Sequence, residues 1–332
     1  MGVSVASAGD VNADGYADAL VGANLFDNGE NNEGRAYLYL GSALGFSQNP
    51  DWVLESNQNG ANMGKSVSAA GDVNGDGFGD VIIGCHSYDN GESDEGRVFL
   101  YMGAASGLAP IANVTAEPDI ANASMGWSVA SAGDVNGDGF DDVLVGAYSY
   151  ANGESDEGAA FLYLGSSAGI SLVADWMTES DVATAQFGIS VASAGDVDGD
   201  GYGDIVIGAS TYDNGENNEG AAFLYLGSPA GPGANPDWIA ESDQTGAQFG
   251  VAVGAAGDVN GDGYGDVVVG ATFYDDLQTD GGSVFLYQGS AAGLSLTPTW
   301  TASSNVTSAR FGQSLGAGDV NGDGYSDVIV GA

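Results

Sequence analysis

The stretch Gly9-Asp10-Val11-Asn12-Ala13-Asp14-Gly15-Tyr16-Ala17-Asp18 returns five more times, its first aspartate recurring as Asp72, Asp134, Asp196, Asp258 and Asp319. Successive copies lie 62, 62, 62, 62 and 61 residues apart. Such a period restricts the chain to a repeat architecture, in which each unit buries its apolar face against its neighbours. The repeats run over 1–62, 63–124, 125–186, 187–248, 249–310 and an incomplete 311–332, read as one domain spanning 1–332.

Each repeat supplies four strand-like runs. In the first, residues 3–8 alternate with period two, and residues 19–23 form a short, nearly all-apolar run typical of a strand buried on both faces. Residues 35–40 alternate aromatic and aliphatic sides, and residues 51–56 make the fourth run. No segment carries a helical apolar period, and 57 glycines disfavour long helices. Four short antiparallel strands per unit, repeated radially, make the blades of a β-propeller, so the fold class is all-β. A parallel β-helix would need a much shorter period. Five blades are complete, and the sixth stops after its second strand.

The recurring stretch has the chemistry of a calcium loop. Oxygen-bearing side chains stand at its positions 1, 3, 5 and 9, with glycine at 6. Calcium takes six to eight oxygen ligands from carboxylates, carbonyls and water. The predicted ligand set is Asp10, Asn12, Asp14, the carbonyl of Tyr16, and Asp18. Its copies are Asp72, Asn74, Asp76, Phe78 and Asp80; Asp134, Asn136, Asp138, Phe140 and Asp142; and Asp196, Asp198, Asp200, Tyr202 and Asp204. The last two are Asp258, Asn260, Asp262, Tyr264 and Asp266, and Asp319, Asn321, Asp323, Tyr325 and Asp327. An EF-hand is rejected, because its loop continues to a glutamate at position 12 and lies between helices. A single copy would read as a solvated turn. Six copies crowding three carboxylates each, with Asp198 a fourth in one of them, call for a cation, up to six Ca2+ in all.

Composition narrows the partners. Four cationic residues face 46 carboxylates, a formal charge of −42, which leaves no basic footprint for nucleic acid or an anionic membrane. The single Cys85 excludes an intrachain disulfide framework, and no apolar run is long enough to span a bilayer. With one histidine in the chain, no Ser-His-Asp set can be assembled credibly, and no phosphate-cradling Gly-Lys loop exists. Cys85-His86 is read as a buried thiol beside a tolerated substitution, so no catalytic residue is assigned. Trp52, Trp176, Trp238 and Trp300 share one fourth-strand position, Val114 replacing them once, and are read as core between blades rather than as a sugar-stacking stripe. The acidic segments Asp27–Glu33, Asp89–Glu95, Asn152–Glu157 and Asp213–Glu219 are read as solvated turns, with a second cation or a sugar as the alternative.

The pairs Phe187-Gly188 with Gly208-Ala209 and Phe249-Gly250 with Gly270-Ala271, placed around the loops at Asp196 and Asp258, resemble FG-GAP repeats. The resemblance covers essentially the whole chain. It departs from the family in lacking the proline of Gly-Ala-Pro, replaced by Asn24, His86, Tyr148, Ser210 and Thr272, and in having Met for Phe in three repeats. It implies the β-propeller of integrin alpha chains and of bacterial secreted proteins, with the acidic loop holding calcium at the positions named above. Such propellers usually have seven blades, so about 100 further residues are expected at this period. The chain is accordingly expected to be a piece of a longer precursor. A six-bladed ring closed by upstream strands and head-to-tail pairing of protomers are the other completions.

These readings converge on a calcium-stabilised, extracellular binding, adhesion or structural module that is not an enzyme. Its expected partners are a protein or glycan ligand, or other copies of itself. A lectin, an accessory domain of a secreted hydrolase or lyase, and a subunit of a self-assembling surface filament are the alternatives. Ligand identity is not encoded in the repeat.

Overall fold

A computed structural model describes residues 2–332. It contains five four-stranded antiparallel sheets and one two-stranded sheet, and no helix among the described residues. In every four-stranded sheet the strands lie side by side in chain order, the pattern of a propeller blade. Blade 1 is Ser4–Gly9, Asp18–Ala23, Arg35–Tyr39 and Trp52–Glu55. Blade 2 is Val67–Gly71, Asp80–Cys85, Arg97–Tyr101 and Val114–Ala116. Blade 3 is Met125–Gly133, Asp142–Ala147, Ala159–Tyr163 and Trp176–Glu179, and blade 4 is Phe187–Gly195, Asp204–Ala209, Ala221–Tyr225 and Trp238–Glu241. Blade 5 is Phe249–Gly257, Asp266–Ala271, Ser283–Tyr287 and Trp300–Ser303, followed by the hairpin Ser314–Gly318 and Asp327–Gly331. The four runs read from the sequence are therefore the four strands, displaced by a residue or so at their ends.

The described residues form two compact units. The first runs to Ser131 and adds Gly139–Ala151 and Ala160–Met177; the second comprises Ala132–Asp138, Asn152–Ala159 and Thr178–Ala332. In both, the second strand of a blade is the most deeply buried element. All six residues of Asp80–Cys85 and of Asp204–Ala209 are buried, as their apolar sequences require.

The glycine pairs set how closely blades approach. In the first unit, a β-carbon placed on Gly84 would lie 1.9 Å from the carbonyl oxygen of Gly126, and one on Gly22 would lie 1.9 Å from that of Gly64. In the second unit Gly208 faces Gly250 in the same way. The glycine before alanine, or before Cys85 in blade 2, thus rests on the glycine after Phe or Met in the next blade. The Met or Phe beside it, at Met63, Met125, Phe187 and Phe249, is at most 1% exposed. Its N–H donates to the carbonyl of Glu33, Glu95, Glu157 or Glu219 respectively.

Tryptophans fill the same junctions. Trp52 meets the ring of Tyr101 edge-on at 4.9 Å and donates from Nε1 to the carbonyl of Ala109. Trp238 repeats this with Tyr287 and Ser295. Trp300 is 47% exposed. Its counterpart of Tyr101 would belong to a third strand that the sixth repeat of this chain does not include.

Candidate metal centre

Each acidic loop joins the first two strands of its blade, and its geometry begins one residue before it. The register of the first strand shifts between Ser7 and Gly9, between Ala69 and Gly71, between Ser193 and Gly195, and between Ala255 and Gly257. This bulge turns the chain out of the ladder and aims the following aspartate into the loop. The loop then folds on its own side chains. Asp10 accepts the N–H of Asp14 through Oδ1 at 3.1 Å and that of Gly15 through Oδ2 at 2.8 Å. Asn12 Oδ1 accepts from Asp14 N at 3.0 Å, and Asp14 Oδ1 accepts from Tyr16 N at 3.0 Å. The sixth position holds a left-handed backbone, φ +91° at Gly15, a conformation glycine adopts without strain.

The ninth position is different in kind. Asp18 is 2% exposed, and its carboxylate accepts from Val11 N at 2.9 Å and from Gly41 N at 2.7 Å. Asp80, Asp204 and Asp266 make the same two bonds, to Val73 and Gly103, Val197 and Gly227, and Val259 and Gly289. The residue predicted to close the cage therefore also ties the loop to the far end of the third strand. Among the described residues Asp327 makes the first of these bonds, at 3.1 Å from Val320 N, in a repeat that has no third strand in this chain.

Burial raises these carboxyls. Asp80 and Asp204 are pushed up to about 7 by desolvation, against the lowering effect of their two backbone N–H donors and with added repulsion from the other loop carboxylates. Asp18 and Asp266 are raised for the same reasons. At exposed Asp319 the N–H groups of Gly324 and its neighbours dominate, and the carboxyl falls below its ordinary value.

In the fourth loop the carboxylates converge measurably. Oxygens of Asp196, Asp198 and Asp204 lie within 4.8 Å of one another, which a cation with oxygen ligands at about 2.4 Å would span. Asp198, replacing the usual asparagine, is raised by burial and by Asp200. An all-oxygen donor set carrying three or four carboxylates fits a hard divalent ion.

Neighbouring loops touch in ways the repeat pattern did not reveal. In the first unit Gly79 N donates to the carbonyl of Asp10 at 2.9 Å, and in the second Gly265 N donates to that of Asp196 at 2.8 Å. A β-carbon on Gly75 would lie 2.8 Å from the ring of Phe140, and one on Gly199 would lie 2.7 Å from that of Tyr264. The aromatic at position 7, chosen for its carbonyl, thus lays its ring on the glycine at position 4 of the preceding loop. The signal was present, since an aromatic occupies position 7 in all six copies.

Two other expectations are now resolved. The second acidic segment is not a solvated turn throughout: its terminal glutamates Glu33, Glu95, Glu157 and Glu219 are completely buried. Cys85 is also completely buried, its Sγ donates to the carbonyl of Ala61 at 3.2 Å, and burial pushes the thiol upward. His86 packs edge-on against Trp127 at 4.9 Å, and burial lowers it to about 4. Cys85 should therefore stay unmodified by an alkylating thiol reagent in the folded chain and react only on unfolding. Modification at the rate of a free thiol under native conditions would contradict its burial.

The fold and site together define a protein of bladed repeats, each carrying an acidic hairpin loop. Profiles of the FG-GAP repeat match residues 1–39, 63–101, 125–163 and 187–225, and that of the FG-GAP-like repeat matches 258–330. The chain belongs to the FG-GAP repeat family. It is 34% identical over 220 residues to integrin alpha-PS2 of Drosophila melanogaster, covering 62% of this chain and 15% of that one. It is 30% identical over 273 residues to integrin alpha pat-2 of Caenorhabditis briggsae, covering 73% and 22%. The match thus spans under a quarter of these relatives. A solved structure of rhamnogalacturonan lyase YesW aligns at TM-score 0.38 and 14% identity, covering 73% of this chain and 49% of that one.

Proposed function

We propose that this chain is a calcium-stabilised, extracellular binding or adhesion module without catalytic activity. The observation that carries the reading is the sixfold loop, whose carboxylates are crowded and, at position 9 of the first five copies, buried, in a chain of charge −42. The ligands proposed for each ion are the residues at positions 1, 3, 5 and 9 and the carbonyl at 7, from Asp10–Asp18 through Asp319–Asp327. A bound ion supplies positive charge where the loop concentrates negative charge. The loop's own N–H groups hold Asp10, Asn12 and Asp14 in place, and Asp18 transmits that order to the second and third strands. Extracellular calcium is millimolar, which suits sites of modest affinity. The integrin alpha similarity supports a role in binding, and the ligand is proposed to be a protein or glycan. A protein and glycan array probed in calcium and then in chelator tests it. Specific signals lost on chelation are expected; none in calcium would contradict a binding role.

The buried aspartates add a pH signature. In the metal-free chain, carboxyls with a folded value of about 7 and an ordinary value of 3.8 hold more protons folded than unfolded between those limits. Their stabilising contribution is complete below about pH 4 and lost as pH rises through about 7. Saturating calcium requires the ionised carboxylate, so the calcium-dependent gain should instead shrink as pH falls below 7. Melting at pH 5 and pH 8 in about 1 M KCl, which screens general surface repulsion, tests both slopes. A calcium-dependent gain equal at the two pH values would contradict the assignment.

A further inference from the structure

A second carboxylate constellation lies away from the hairpin loops, where the segment between strands 2 and 3 meets the end of strand 4. In blade 4, Glu219 is completely buried. Its Oε1 accepts from Asn214 N at 2.7 Å and Glu216 N at 3.3 Å, while its buried Oε2 has no hydrogen-bond partner. Oxygens of Glu219, Glu241 and Asp243 lie within 4.8 Å of one another. Asn214 Nδ2 donates to Glu241, at 2.9 and 3.1 Å from its two oxygens. Blade 3 repeats the arrangement with Glu157, Glu179 and Asp181: Asn152 N donates to Glu157 Oε1 at 2.5 Å, and Glu157 Oε2 is buried and unpartnered. Glu179 and Glu241 are both raised, first by burial and then by neighbours that include the buried glutamate. Three clustered carboxylates, one of them with a buried orphan oxygen, and amide donors but no cationic side chain bonded to them among the described residues, leave charge uncompensated.

The other blades show what compensation looks like. The third strand of blade 1 begins with Arg35, cross-strand from Glu55 and ion-paired with it. In blade 2, Arg97 reaches Glu117 with Nη2 at 2.5 Å and Nε at 2.7 Å. Glu33 and Glu95 carry the same orphan Oε2, here with a guanidinium against the strand-4 glutamate. At the arginine position blades 3 and 4 have Ala159 and Ala221, the latter directly cross-strand from Glu241. In blade 5 acid and base disappear together: Gly281 replaces the buried glutamate, and Ser283 bonds Ser303 at 2.8 Å. The acids stand with an arginine in two blades and without one in two, and the fifth has neither.

We propose that blades 3 and 4 each bind a divalent cation of oxygen preference, calcium being the best suited, through Glu157, Glu179 and Asp181 and through Glu219, Glu241 and Asp243. The ion takes the place that a guanidinium fills in blades 1 and 2. The site is separate from the hairpin loops, so it stands or falls independently of them. The test counts calcium bound to the full chain by equilibrium dialysis, comparing wild type with Ala159→Arg/Ala221→Arg. The arginine variant should bind two fewer ions. A second variant, Asp181→Asn/Asp243→Asn, changes only exposed side chains, and circular dichroism verifies its fold. It should weaken two sites at least tenfold. An isotherm in either folded variant that superimposes on wild type overturns the proposal, however many ions the hairpin loops hold.

Discussion

Stripping calcium from the folded chain should lower its unfolding midpoint by about 20 °C. A site saturated at 100 times its dissociation constant adds about 2.7 kcal/mol to folded stability, so six independent sites add on the order of 16 kcal/mol. A chain of 332 residues unfolds with an entropy of about 0.7 kcal/mol per kelvin, which converts that loss into the stated shift. The structure explains why the loss should reach beyond the loops. Asp18, Asp80, Asp204 and Asp266 are each held by N–H groups from both the loop and the end of strand 3, so an unbalanced charge there strains a whole blade. Restoring calcium should recover the midpoint. Magnesium should recover less, because it demands octahedral geometry and keeps its waters. Calorimetry with and without a chelator decides the matter, and an unchanged midpoint would remove calcium from the stability of the fold.

Gly84→Ala and Gly208→Ala should each destabilise the chain by about 3 kcal/mol or more, although each adds a single methyl group. At both positions the new carbon would lie 1.9 Å from a backbone carbonyl oxygen of the next blade, at Gly126 and Gly250 respectively. No rotamer relieves the clash, because the β-carbon is fixed to the backbone. The blades must separate, and that opens the junction filled by Met125 or Phe249. Gly15→Ala is the informative contrast: its β-carbon meets nothing within 4 Å, so only the left-handed backbone opposes it, at about 1 kcal/mol. Denaturant melts of the three variants in saturating calcium give the comparison. Equal effects at Gly84 and Gly15 would mean that the close approach of blades does not govern stability.

Much of this architecture was legible because the repeat averages out local ambiguity. One copy of Val3–Ala8 is a weak strand signal, whereas the same alternation at a constant period fixes strand number, order and loop position together. The recurring oxygen-bearing positions 1, 3, 5 and 9 of the loop were legible for the same reason. What stayed hidden depended on contacts between repeats. Nothing local to Gly84 announces that Gly126 lies against it, 42 positions away. The second role of Asp18 rests on Gly41, and its only trace was a constant 23-residue spacing. The segment ending in Glu219 read as solvated because its composition is polar, yet the Asn214 N–H draws that glutamate inward and buries it. Composition reports average exposure and not the direction of one side chain.

The central claim is that every acidic hairpin loop is a calcium clasp. The most direct measurement is a crystal structure of the calcium-saturated chain with an anomalous difference map at a wavelength where calcium scatters. Six peaks are predicted, each enclosed by side chains at positions 1, 3, 5 and 9 of one loop, from Asp10, Asn12, Asp14 and Asp18 to Asp319, Asn321, Asp323 and Asp327. Loops that keep their fold with no peak at any of the six would contradict the claim.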